Sequence, residues 1–313
     1  MKAEARLLAM EHRIRTFRAL SESTIGDDAI CIFSRISPDD NTLAALWKTR
    51  EARLPSMCLA ILKEEPEVVT ISRDGVSESV FLRDDGKLRQ LIGNDTDAYL
   101  DITGLSLHVW APIVKAALEA CKNFWVIYTE PNEYSWHSNP AWPTMFDLTE
   151  RFAGVSPIPG FARLVGPSSE EQTLFVPFLG FEGSRARQIV ISLDPPPNTI
   201  PVIGVPGFRL EYPSYTIVCN RAFLKESRSY PEIKMADAVS PFHAIKVLEN
   251  IRRDNPGKYL YIAPVGTRPH SLGAVLFILR YNDAGEIMYD HPIPRVGTRK
   301  GIGPTHIYTL KDS

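Results

Sequence analysis

Three side chains in this 313-residue chain stand where acid–base groups would. Glu182 lies between two small turns in "LGFEGSRAR", and a carboxylate at such a bend could act as general base or nucleophile. Asp101, closing the apolar run "AYLDITG", is a second carboxylate of this kind. His270, in "YIAPVGTRPHSLGA", falls in the first turn of a helical pattern and would serve as the acid. Together they describe a nucleotide hydrolase or N-glycosidase. Helix capping by Glu182 is the competing reading. Neither a Ser-His-Asp order nor a G-x-S-x-G elbow accompanies them.

A second chemistry is anion binding. "DITGLS" (101–106) and "VGTRPH" (265–270) each end an apolar run in a glycine turn and open a helical pattern. Free N–H groups at such a helix start favour phosphate. Gly104 and Gly266 would let the backbone come close. Thr103, Ser106 and Thr267 offer hydroxyl donors, and Arg268 a planar fork. His108 sits in the first segment as His270 does in the second. Arg185 and Arg187 follow Glu182, and Arg35, Asp39 and Asp40 follow the strand-like "AICIFS". Asn220, at the end of "TIVCN", would cap a helix or hold a ribose. Tight strand-to-helix turns with no ligand are the equal alternative reading of these glycines. No Gly-Lys-Ser/Thr and no G-x-G-x-x-G after a strand is present, so no cofactor is expected. "YTEP" and "YDHP" bring Glu130, Asp290 and His291 to comparable strand ends. "PRVGTRKGIGPTH" holds Arg295, Arg299 and Lys300 in what reads as a basic loop that could fold over a phosphate.

These groups need a scaffold of alternating elements. "AICIFSRI", "MCLAILKEE", "AYLDITG" and "NFWVIYTEP" read as strands, and "EVVTISRDG" with "SESVFLRDDG" as a hairpin. "NTLAALWKTREA" and "LHVWAPIVKAALEAC" read as helices, the latter with Pro112 in its first turn. In the second half "TLFVPFLG", "TIPVIGVPG", "YTIVCN", "KYLYIAPVG" and "EIMYDHP" are strand-like. "EGSRARQIVISL", "HAIKVLENIRRD" and "SLGAVLFILRY" are helical. Residues 3–20 read as a basic amphipathic helix, with Leu7, Met10, Ile14, Phe17 and Leu20 on one face.

The halves also align. "YLDITGLSLHVWAPIVKAALEACKNFWVIYTEP" (99–131) lies on "YIAPVGTRPHSLGAVLFILRYNDAGEIMYDHP" (261–292), pairing Tyr99 with Tyr261, Gly104 with Gly266 and His108 with His270. The expectation is an α/β protein of two similar Rossmann-like units with mainly parallel sheets. The divisions read as an N-terminal helix (1–26), a first unit (27–135), a proline-rich connection (136–170) with a short helix at "TMFDLTERF", and a second unit (171–313).

A net charge of −2 gives no general pull towards nucleic acid. No apolar run is long enough for a membrane span, and arginines interrupt any secretory signal, so a cytoplasmic location is expected. The four cysteines have no metal-knuckle spacing and read as reduced core thiols; the histidines show no metal spacing, and no metal is expected.

The strand, "GTR" turn and helix at 259–280 resemble the ligand-binding turn of CARF domains, Rossmann-like sensors of cyclic oligoadenylates in bacterial immunity. "LDITGLS" resembles the same turn. The resemblance implies that Gly104, Ser106, Gly266, Thr267 and Arg268 line a nucleotide site in a sensor or subunit of a defence complex. CARF proteins pair two chains and carry an effector domain; this chain holds both units and has no recognisable effector. The output would then be a partner protein reached through the N-terminal helix. A scaffold whose units hold no ligand, with the aromatics of "YSWHSNPAWPTMF" at its interface, is the third reading.

Overall fold

Apolar runs bounded by turn residues become buried strands, and the periodic segments between them become helices. The computed structural model describes residues 14–36, 42–141, 144–162 and 173–312. Asp39 and Asp40 lie outside them, as does most of the expected N-terminal helix.

The chain divides into two compact units, Met1–Glu133 with Arg299–Ser313, and Tyr134–Thr298. The first runs β1 (Ile14–Phe17), β2 (Ile30–Ser34), α1 (Ala44–Arg53), β3 (Cys58–Glu64), β4 (Val68–Arg73), β5 (Val76–Phe81), α2 (Asp85–Ile92), β6 (Asp97–Asp101), α3 (Leu107–Ala120) and β7 (Asn123–Tyr134). The second contains β8 (Trp136–Ala141), β9 (Thr144–Phe146), β10 (Thr149–Phe152), β11 (Ser156–Pro157), β12 (Thr173–Phe178), α4 (Gly183–Ile191), β13 (Asn198–Thr199) and β14 (Val202–Gly204). It continues with α5 (Tyr212–Cys219), α6 (Arg221–Glu226), β15 (Lys234–Ala236), α7 (Pro241–Asp254), β16 (Tyr259–Pro264), α8 (Arg268–Arg280), β17 (Gly285–Tyr289) and β18 (Pro292–Pro294). The chain then returns to the first unit as β19 (Arg299–Lys311).

The first sheet has the order β1-β19-β7-β6-β2-β3-β4-β5. Its strands β7, β6, β2 and β3 are parallel, and β4, β5 and β1 add antiparallel pairings. The second has the order β11-β17-β16-β12-β14-β15, parallel except for β11. In each, the first parallel strand (β2 or β12) lies inside. The strand after it pairs on one side, and the later pair joined by α3 or α8 lies on the other. The fold is therefore mixed α/β with mostly parallel central sheets.

Several expectations give way. Ile14–Phe17 is not helical but forms β1, paired with Thr305–Tyr308 of β19. Its apolar spacing suits a helix, yet the distant strand satisfies its backbone. The basic segment at 294–306 is strand from Arg299 onward, and from that residue it belongs to the first unit rather than the second. The described part of 136–170 carries β8 to β11 rather than being a bare connection, and "TMFDLTERF" forms β9 and β10 instead of a helix. "YTIVCN" is the end of α5, started by Pro213 near its N-terminus. Pro112 lies in the second turn of α3, buried, rather than the first. The hairpin at Asp74-Gly75 stands as expected, both residues having positive φ (52° and 78°), which the aspartate and glycine accept.

Candidate functional site

The second sheet reverses its strand order between β12 and β16, the place where open parallel sheets hold ligands beyond their carboxyl ends. Seven of the predicted residues, Glu182, Arg185, Asn220, Gly266, Thr267, Arg268 and His270, lie on the segments around it. Arg185 on α4 makes two 2.7 Å bonds to the carboxylate of Asp290, which follows β17 and is fully buried. Burial opposes the Arg185 charge, but the bidentate carboxylate more than offsets it and raises the guanidinium pKa. Its Nη1 also donates to the Val265 carbonyl at 3.4 Å.

Gly180 and Gly266 meet across the strand ends. A Cβ on Gly266 would stand 2.8 Å from the Leu179 carbonyl, and one on Gly180 would stand 2.8 Å from that of Val265. The glycine turn is thus required by backbone approaching backbone. Asn220, buried between α5 and α6, donates from Nδ2 to the carbonyls of Gly180 (2.7 Å) and Thr216 (2.8 Å). It ties β12's bend to α5. A Cβ on Gly183, the first residue of α4, would overlap the Cys219 carbonyl at 2.2 Å, so this helix start is packed against α5.

Glu182 precedes α4, but its carboxylate looks to neither a helix cap nor open space. Oε1 accepts the backbone N–H groups of Leu148 and Thr149 (3.1 and 2.9 Å), and Oε2 accepts the Thr149 hydroxyl at 2.7 Å. Three donors hold it as a staple for β10, and leave it poorly placed as a base.

At α8, Thr267 is the N-cap. Its hydroxyl accepts from the His270 N–H (3.3 Å) and donates to the Ala238 carbonyl (3.0 Å). Arg268 is half-buried at the first helical position. His270 has no exposed surface; its Nε2 bonds the Asp237 carbonyl at 3.0 Å and its ring lies 5.1 Å from that of Phe178. Burial pushes its pKa down to about 4, against a partial upward pull from the Asp237 carbonyl. A fully buried neutral imidazole cannot hand a proton to a substrate.

Asp101, Thr103, Gly104 and Ser106 belong to the first unit. Asp101 is buried; it accepts the Trp47 indole N–H at 2.7 Å and the Thr103 backbone N–H at 2.9 Å. Thr103 turns inward and accepts the Thr129 N–H at 2.9 Å. Ser106 is the N-cap of α3, and its N–H donates to Glu64 Oε1 at 3.2 Å. A carboxylate of β3 thus takes the place an external anion would have at this helix start. His108 bonds the Glu65 carbonyl at 3.2 Å, and burial lowers its pKa.

Other predicted groups are also engaged. Arg35 pairs with Glu51, Arg187 with Glu226 and Arg295 with Asp147. His291 bonds Ser156 at 2.9 Å. Glu64 escaped the sequence reading because it acts as a cap from 42 positions away; a distant carboxylate leaves no local signature. Thr16 and His306 also escaped. Their strands pair across 290 positions, and together with Glu130 they form a partly buried hydrogen-bonded chain in the first unit. Aromatic rings also gather where the second unit begins. Phe146 stacks on Phe181 at 4.5 Å and on Trp136 at 4.9 Å, with Tyr215 5.4 Å from Trp136. They pack β8 and β9 on α5.

Among the described residues, no three His, Cys, Asp or Glu side chains are grouped to hold a metal ion, and no helix is long and apolar enough to cross a membrane. No protein-family model and no curated protein sequence matches the chain.

Proposed function

We propose that the chain is an α/β protein of two Rossmann-like units whose strand-end bends hold no catalytic site, acting as a binding or assembly subunit. The recurring strand order around β2 and β12 supports the two-unit reading, and α3 and α8 hold equivalent places in it. One observation carries the functional part: at the bends where a ligand would sit, the protein's own groups take the donors. Glu64 holds Ser106, Thr267 caps α8, Asp290 holds Arg185, and α5 fills the start of α4. The acid–base candidates are spent in the same way, so hydrolysis or N-glycosidic cleavage at these bends has little support.

A second reading keeps the resemblance to CARF sensors. It is favoured by the placing of Arg268 at the start of α8, beside the point where the strand order reverses. Here the chain senses a nucleotide, a cyclic oligoadenylate by that resemblance, with Arg268 on the phosphate.

One experiment separates the two. Thermal unfolding is followed with mononucleotides, dinucleotides and cyclic oligoadenylates, and the same mixtures are assayed for nucleotide turnover. A ligand at a hundred times its Kd adds about 2.7 kcal/mol, which is several degrees for a chain of this size. The assembly reading expects no shift, no turnover, and a partner protein that co-purifies. A shift of several degrees that Arg268→Ala abolishes overturns it in favour of the sensor. Turnover lost in Glu182→Gln without unfolding overturns both.

A further inference from the structure

The first unit holds a chain of three side chains across three neighbouring strands. Thr16 on β1 stands directly opposite His306 on β19, and its hydroxyl lies 3.0 Å from His306 Nδ1. The other imidazole nitrogen, Nε2, lies 2.6 Å from Glu130 Oε1 on β7. His306 and Glu130 are buried, whereas Thr16 is exposed on the outermost strand of the sheet. With the carboxylate accepting from Nε2–H, Nδ1 is left as the acceptor of the Thr16 hydroxyl proton. Hydroxyl, base and orienting carboxylate follow in the order that activates a nucleophile, at distances that suit proton transfer.

Stability alone does not require this arrangement. A buried hydrogen-bonded polar pair is commonly matched or bettered by apolar side chains of the same volume. The chain also ends at an accessible hydroxyl rather than closing on itself.

We propose that Thr16 is a nucleophile for small activated acyl esters, with His306 as its base and Glu130 as a positioning residue. This stands apart from the reading of the strand-end bends. As Thr16 Oγ1 bonds to the acyl carbon, its proton passes to His306 Nδ1. Collapse of the tetrahedral adduct breaks the ester C–O bond, and His306 Nδ1–H returns its proton to the departing alkoxide or phenolate oxygen, leaving the imidazole neutral again. Water then attacks the acyl-threonine and gives up a proton to His306; as the acyl–Oγ1 bond breaks, His306 returns that proton to Thr16 Oγ1, and the sum is ester plus water to acid plus alcohol.

The probe is p-nitrophenyl acetate with the full chain. The expected result is a burst of p-nitrophenolate and an acetyl group that mass spectrometry locates on Thr16. Thr16→Val removes the hydroxyl with little change of shape and should lower acetylation at least about 10²-fold, as should His306→Ala. Thr16→Ser should retain it. Glu130→Gln should slow it about tenfold or more. The same variant should also erase the downfield proton resonance of the His306 Nε2–H. No adduct at Thr16, or wild-type acetylation in correctly folded Thr16→Val, overturns the proposal. A His306→Ala variant that acetylates Thr16 at the wild-type rate removes the base from it.

Discussion

At the scale of the residue, the polar groups singled out at the strand ends are mostly structural. Asp101, Glu182 and Asn220 each satisfy backbone or indole donors and acceptors that burial would otherwise orphan. His270 gives this a pH signature. Its folded pKa of about 4 lies below the unfolded value of 6.5, so the unfolded chain binds the proton first. Between those values the unfolded state holds more protons, and stability rises with pH. Lowering the pH from 6.5 towards 4 should therefore cost up to about 3 kcal/mol through this group, at about 1.4 kcal/mol per pH unit. His270→Gln keeps a donor for the Asp237 carbonyl and cannot titrate. Urea unfolding of both forms across this range should show the wild type losing more stability on acidification. Parallel pH curves would mean that His270 is solvated.

At the scale of the element, helices with a clear period and a capping residue were legible, and those whose partners lie far away were not. α7 begins at Ser240, whose hydroxyl accepts the His243 N–H, and α8 at Thr267. Both agree with the apolar spacing. α2, capped by Asp84, holds too little periodicity in its eight residues to announce a helix. β1 imitates a helix over four residues and is decided by β19. Gly273 in α8 shows where propensity and packing compete. Alanine should be favoured in a helix interior by about 1 kcal/mol. Here, however, a Cβ would stand 2.5 Å from the Pro241 carbonyl and 2.6 Å from the Ala244 Cβ of α7. The carbonyl belongs to backbone and cannot rotate away, so α7 and α8 must separate. Overpacking of this kind costs about 1–3 kcal/mol, and Gly273→Ala should be destabilising on balance. A lower midpoint in urea at unchanged slope checks it; a higher midpoint would mean that the helices move apart freely.

At the scale of the whole molecule, the alternation of strands and helices announced a mixed α/β fold, and the segments 99–131 and 261–292 each run from a parallel strand through a helix to the neighbouring parallel strand. What no local pattern carried was the return of the chain. β19 leaves the second unit and inserts between β1 and β7, because its apolar positions Ile307, Tyr308 and Leu310 complete the first core. Lys311 then donates to the Leu118 carbonyl at 3.1 Å and to that of Cys121 at the end of α3. A chain ending at Thr298 would lose these contacts. It would leave β1 without a partner and expose the paired edge of β7, whose Glu130 would face no histidine. The second unit, Tyr134–Thr298, keeps all its strands in such a chain. Limited proteolysis with mass spectrometry should therefore find the first unit digested and a fragment close to 134–298 surviving. Wild-type protection of both units in the truncated chain would show that the first sheet closes without β19.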